Sequence, residues 1–168
     1  MRRALAVILA GALLAPAALG APPRSKLDGV NGVSFGATFD AARAKLGAAA
    51  KADTDPSDPK IRILLVSGLG LFGEKASFNY TFDAQGKFSE AYAVADVPTG
   101  NFAVCSAHWT SMFGQMTASY GAPDTYQKAT LPNQTPSETA VFKFGDGSHI
   151  DADQLGCLIE VSFYAPGR

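Results

Sequence analysis

Cys105 and Cys157 are the only two cysteines in the chain. They are too far apart for a Cys-x-x-Cys redox site and too few for a structural zinc site. A structural disulfide is the chemistry left to them, provided the chain enters an oxidising compartment. The plainer alternative is two separately buried thiols acting as small hydrophobes. His149, Asp151 and Asp153 alternate, so an extended backbone turns all three to one side, with Asp146 close by in sequence. This is the one metal-like grouping. Calcium wants more oxygen ligands at fixed spacing and zinc wants three good protein ligands, so the expectation is a solvated turn at a strand end with no bound metal.

Gly68-Leu69-Gly70-Leu71-Phe72-Gly73 matches the GxGxxG spacing of a dinucleotide loop. That loop must open into a helix whose N-terminus meets pyrophosphate, whereas Glu74 to Tyr80 reads as a strand. A glycine-rich connection with a bulge is the expectation, and no cofactor is implied. Ser106 and His108 diverge around a helix and do not form a nucleophile–base pair, and His108 has no local carboxylate. Glu74, Glu90, Glu138 and Glu160 are scattered, which leaves a glycosidase carboxylate pair unsupported. A small secreted hydrolase with a dispersed Ser/His/Asp site is kept as the alternative, since such triads assemble by geometry.

The compartment is set by the first twenty residues. Arg2 and Arg3 precede the apolar run Ala4 to Ala10, and small and apolar residues continue to Gly20. This order reads as a secretory signal peptide over 1–20, with cleavage before Ala21 and a location in the periplasm or outside the cell. Gly11 and Pro16 interrupt the apolar stretch, so stable membrane insertion is not expected. The 168 residues carry a formal net charge of −1, and loss of Arg2 and Arg3 makes the balance more acidic. No basic run remains to follow a phosphate backbone, which argues against nucleic acid as a partner.

Behind the leader, residues 21–29 are rich in proline and charge and read as a flexible lead-in to a single domain over 30–168. Val30 to Phe35 is a short strand. Thr38 caps a helix in which Phe39, Ala42, Arg43 and Leu46 recur at helical spacing, and Gly47 stops it. A polar loop runs to Pro59, then Ile61 to Val66 is β-rich and 67–73 flexible. Phe78, Tyr80 and Phe82 alternate ahead of the Asp83–Gly86 turn. Phe88, Glu90, Tyr92 and Val94 answer them on the return, with Glu90 breaking the apolar face near the sheet edge. The strongest helical pattern is Phe102, Cys105, Trp109, Phe113, Met116 and Tyr120, closed by Gly121 and Pro123. After a polar 124–138 loop come a strand over Ala140 to Phe144, a turn at Asp146-Gly147 and a strand over Leu155 to Tyr164 with Cys157 on its core face. The disulfide then joins helix to sheet.

Helix and strands thus occur twice, and an internal helix–strand pseudo-repeat follows from Leu46-Gly47 beside Tyr120-Gly121 and from Tyr80–Asp83 beside Phe142–Gly145. The expected fold is α+β, with an antiparallel sheet covered on one face by two helices and open on the other. Phe35-Gly36-Ala37-Thr38-Phe39, Leu46-Gly47 and Tyr120-Gly121-Ala122-Pro123 resemble the helix boundaries of small bacterial envelope modules, namely the outer-membrane assembly lipoprotein family SmpA/OmlA and the beta-lactamase inhibitory protein family. The first implies an accessory scaffold in outer-membrane assembly, although this chain lacks the lipid-bearing cysteine. The second implies binding of an enzyme through the open sheet face. The reading is an exported noncovalent binding or envelope-support protein, whose partner is an envelope or secreted protein. Its candidate contact tyrosines are Tyr92, Tyr126 and Tyr164, with core packing the alternative for Tyr92.

Overall fold

The computed structural model describes residues 24–168, so the leader over 1–20 lies outside the described residues. The chain enters through a small hairpin of β1 (Gly29–Val30) and β2 (Val33–Ser34). Asn31 and Gly32 form its turn with φ of 50° and 77°, the positive pair that a type I′ turn needs. Helix α1 (Phe39–Leu46) follows, with Thr38 accepting from the Ala41 N–H and Gly47 ending it at φ 79°. Four strands come next: β3 (Lys51–Thr54), β4 (Arg62–Leu71), β5 (Glu74–Phe82) and β6 (Phe88–Ala95). The second helix, α2 (Phe102–Tyr120), is capped by Asn101 and ends at Gly121, again at φ 79°. Then come β7 (Thr125–Thr130), β8 (Pro136–Lys143), β9 (His149–Leu155) and β10 (Leu158–Tyr164).

The eight long-sheet strands lie in the order β3-β4-β5-β6-β10-β9-β8-β7, and every pairing is antiparallel. That order is a mirror: a helix and four strands, then a helix and four strands, joined at β6 and β10. The fold is α+β with the internal repeat built into its topology. The glycine-closed helices are true counterparts. Tyr80–Asp83 and Phe142–Gly145 are not, since β5 corresponds to β9 and β8 to β4; aromatic alternation alone misaligned the halves by one strand.

Both helices cover one face. Phe39 of α1 packs edge-on to Phe82 at 5.1 Å, while Phe113 and Tyr120 of α2 meet Phe142 at 6.4 and 6.2 Å. Leu64, Tyr80, Ala91, Phe163, Ile150 and Phe142 follow one another across the sheet by register and are all buried on that side. Trp109, Met112 and Met116 are buried beneath α2, but Phe102, expected in its apolar stripe, is 48% exposed.

Several expectations are corrected. The register shifts between Thr81 and Phe82, so the bulge at Ser89 flips β6: Phe88, Ala91, Ala93 and Ala95 face the core, and Glu90, Tyr92 and Val94 face away. Glu90 therefore sits in a central strand, not at an edge. Both expected polar loops contain strands, the exposed edges β3 and β7. Residues 67–73 are not loose: β4 continues to Leu71 past a bulge between Val66 and Leu69. Residues 24–28 are fastened down as well. Arg24 pairs with Asp124 at 3.0 Å, donates to the Ala122 and Lys143 carbonyls, and lies over the Phe142 ring at 5.4 Å. The Leu27 N–H donates to Ser148 Oγ at 3.1 Å.

Candidate functional site

On the face away from the helices, register lines up three rows across β6, β10, β9 and β8. They read Glu90–Tyr164–His149–Lys143, Tyr92–Ser162–Asp151–Val141 and Val94–Glu160–Asp153–Thr139. Strand spacing and two-residue repeat make this grid roughly 14 Å on each side. It is floored by buried strand positions on the other side, and no helix among the described residues lies above it.

Tyr92 donates its hydroxyl to Glu160 Oε1. Partial burial, the Glu160 acceptor and its charge together push the Tyr92 pKa up to about 12. Thr139 Oγ1 donates to Asp153 Oδ1 at 2.7 Å, and the His149 and Tyr164 rings stack at 4.4 Å. Asp151 is different. Its Oδ1 is buried without a hydrogen-bond partner among the described residues. Burial raises its pKa and the Asp153 charge adds to this, against His149 and Lys143. Glu90, Asp151, Asp153 and Glu160 form no ion pair among the described residues. The grid is a surface with four carboxylates, two tyrosines, and the basic His149 and Lys143 at one end.

His149, Asp151 and Asp153 do share a face, as their alternation predicts. Their side chains stand about 6.8 Å apart along the strand, with Asp153 held by Thr139 and His149 by Tyr164. Among the described residues no group of three His, Cys, Asp or Glu is placed to hold a metal ion.

The three candidate tyrosines do not converge. Tyr92 is half-buried on the open face beside Tyr164 rather than in the core. Tyr126 lies on the helix side, stacked on Phe113 at 5.0 Å. Its hydroxyl donates to Glu138 Oε2, which raises its pKa to about 12, with burial and the Glu138 charge adding to that. Glu138 is buried at 7% exposure and also accepts from Trp109 Nε1 at 2.8 Å and pairs with Lys128 at 2.5 Å. Burial works to raise its pKa, but the bonds from Lys128, Tyr126 and Trp109 outweigh it and hold the carboxyl below its ordinary range. Sequence reasoning missed this cluster. The available signal was a glutamate in phase with the core residues Ala140 and Phe142, in a chain whose buried indole needs an acceptor.

Cys105 and Cys157 are bonded, with Cα atoms 5.0 Å apart. Cys157 is not on a strand face: it follows Gly156, at φ 62°, in the two-residue turn between β9 and β10. The disulfide ties the start of α2 to a hairpin tip. The GxGxxG stretch spans the β4 bulge and the tight Phe72-Gly73 turn, then enters β5 with no helix to receive a phosphate. His108 does meet a carboxylate, Glu74, at 2.7 Å, because the β4–β5 hairpin reaches α2. Ser111 lines the same shallow groove with Ala103, Val104 and Ala107. Among the described residues no serine hydroxyl bonds to His108, and Ser106 turns toward Gln154 instead. No described helix is long and apolar enough to cross a membrane. No family model matches the chain, and comparison with curated proteins and with solved structures likewise finds no match.

Proposed function

We propose that this is an exported binding protein that grips a positively charged patch of an envelope or secreted protein through the open face of its sheet. The observation that carries the reading is the acidic grid: Glu90, Asp151, Asp153 and Glu160 surround the neighbouring Tyr92 and Tyr164 and have no ion-pair partner among the described residues. Lysine or arginine from a partner would give these acids charge-assisted hydrogen bonds, and the tyrosines would supply the rigid apolar contact that anchors interfaces. The grid is smaller than a standard interface of about 800 Å² per partner, so it would serve as the centre of one. Export is supported by the Arg2-Arg3 leader pattern and by a disulfide that an oxidising compartment would maintain. The resemblance to the beta-lactamase inhibitory protein family points to the same open face, and that to the SmpA/OmlA family points to an envelope setting.

The test is mild crosslinking of the native protein in its own envelope, followed by affinity isolation. One reproducible partner with a basic surface is expected, bound at least ten-fold more weakly by the combined Asp151→Asn, Asp153→Asn and Glu160→Gln variant and weakened by salt. An unchanged partner yield from that variant would refute the reading.

The hydrolase alternative rests on one observation, the His108–Glu74 pair with Ser111 in the same groove. It predicts ester or amide turnover that disappears in His108→Ala and in Ser111→Ala alike.

A further inference from the structure

On the helix side of the sheet, a cavity of about 190 Å³ lies between the β1–β2 hairpin, the turn joining β4 to β5, and the C-terminal end of α2. Its main walls are Val30, Asn31, Phe72, Phe78, Tyr120 and Phe163, and no charged side chain lines it. It is a half-open cleft of mixed lining, and its size sets an upper bound on the occupant. An apolar cavity of about 150 Å³ accepts benzene, and drug-sized ligands need roughly 300 Å³ or more. This space suits one six-membered ring with a small substituent. Four aromatic side chains surround it, with Phe72 edge-on to Tyr120 at 6.0 Å and stacked toward Phe163 at 6.2 Å. Ring edges and faces of this kind favour another ring over an aliphatic body of equal size.

Two polar groups at the rim keep bonding capacity open to solvent or a ligand, Asn31 being exposed and Tyr120 half-buried. Asn31 spends its amide N–H on the Tyr80 hydroxyl at 3.0 Å, and its carbonyl oxygen forms no hydrogen bond among the described residues. The Tyr120 hydroxyl is desolvated, and no hydrogen bond offsets the resulting rise in its pKa. A ligand hydroxyl could donate to the first or bond with the second.

The wall at Phe72 is also under strain. Phe72 has φ 45° in a two-residue turn with Gly73 at φ 85°, where Asn, Asp or Gly is the usual first residue. A bulky residue there is a backbone outlier. What the phenyl ring gains is its place over the cavity.

We propose that this cavity is a binding site for a neutral monocyclic aromatic molecule bearing one hydroxyl, of the phenol class, with the Phe72 ring as one wall. The site is on the opposite side of the sheet from the acidic grid and stands independently of the protein-binding reading.

The disulfide-bonded protein, labelled with nitrogen-15, is titrated with phenol and with cyclohexanol as a hydroxylated ring without aromaticity. Saturable shifts confined to Val30, Asn31, Gly70 and Phe72 are expected for phenol, at a dissociation constant on the order of 1 mM or below. Cyclohexanol is expected to bind at least ten-fold more weakly. Phe72→Asn suits the turn but gives up the ring's packing on Tyr120 and Phe163, and at a temperature where the variant is folded it should weaken phenol about five-fold or more. Tyr120→Phe keeps the ring and should weaken phenol about three- to ten-fold while leaving toluene unchanged. Shifts that grow linearly without saturating, shifts spread over other surfaces, equal response to cyclohexanol, or indifference to both variants would each overturn the proposal.

Discussion

The two halves of the sheet share a topology and solve its packing in opposite ways. In the first, an eight-residue helix covers strands carrying Phe78, Tyr80, Phe82 and Phe88. In the second, a nineteen-residue helix brings Trp109, Met112 and Met116 down onto strands whose matching positions include Ala140 and Ala152. The trade is local: β5 puts Phe78, Tyr80 and Phe82 under the short helix where its counterpart β9 puts Ile150, Ala152 and Gln154, whereas β6 buries Ala91, Ala93 and Ala95 where β10 buries Ile159, Val161 and Phe163, so that each half fills its space as close packing demands. Each half has its own supplement. The first borrows the β1–β2 hairpin as extra cover, and the aromatic cavity lies along that seam. The second has the disulfide, the buried Glu138 and the docked Arg24. The lesson is that an internal repeat fixes strand order while leaving the thickness and chemistry of the cover free to diverge.

Trp109→Ala tests the second half's dependence on its helix most severely. It removes the largest fully buried side chain and takes one donor from a buried carboxylate. A loss of about 3–5 kcal/mol is expected by urea denaturation. Phe82→Ala in the first half leaves no polar group unpaired and should cost less, within the lower part of that range. If Phe82→Ala costs more, the halves do not divide the core as argued. The next effect is the disulfide, which closes a separation of 52 residues and lies entirely in the second half. Its replacement by Cys105→Ser with Cys157→Ser should cost about 2–4 kcal/mol. Hydrogen exchange should rise first at the start of α2 and the β9–β10 turn, with β4 and β5 protected longer.

The same asymmetry governs what could be read beforehand. The α+β class, both helices with the Thr38 cap and their glycine ends, and the pairing of Cys105 with Cys157 follow from local pattern and from there being just two cysteines. Legibility failed where parity changed within a strand. One extra residue near Ser89 put Tyr92 on the face opposite Phe88, where simple alternation had grouped them together, and no local propensity marks that bulge. The β3 and β7 edges were hidden because exposed strands lack an apolar period; Lys51–Thr54 and Thr125–Thr130 are exposed throughout. Asn31-Gly32 was a legible type I′ signal that the short-strand reading passed over. The acidic grid and the Glu138 cluster were beyond reach for another reason. They join residues from different strands, and only pairing register decides that Glu160 lies beside Asp153 or that Tyr126 faces away from Tyr92.

Glu138 and Asp151 carry the comparison between the covered and open faces into pH. Glu138 has its pKa held below the ordinary carboxylate range in the fold. It therefore stabilises the folded chain above the unfolded carboxyl pKa, and that contribution is lost as pH falls through the folded value. Glu138→Gln keeps an acceptor for Trp109 and Tyr126 but forfeits the charge facing Lys128. It should cost about 1–2 kcal/mol at pH 7, shrinking toward zero in acid. Asp151 has the opposite sign. Its raised pKa means that folding disfavours the ionised form, a cost that is full at neutral pH and disappears as pH falls below the unfolded value. Asp151→Asn should therefore stabilise the isolated protein at pH 7 by less than about 1 kcal/mol and change nothing in acid. The same variant should weaken capture of a basic partner. Stability and binding moving in opposite directions at one residue is what a surface kept acidic for recognition requires, and a variant that loses both would make Asp151 a structural residue instead.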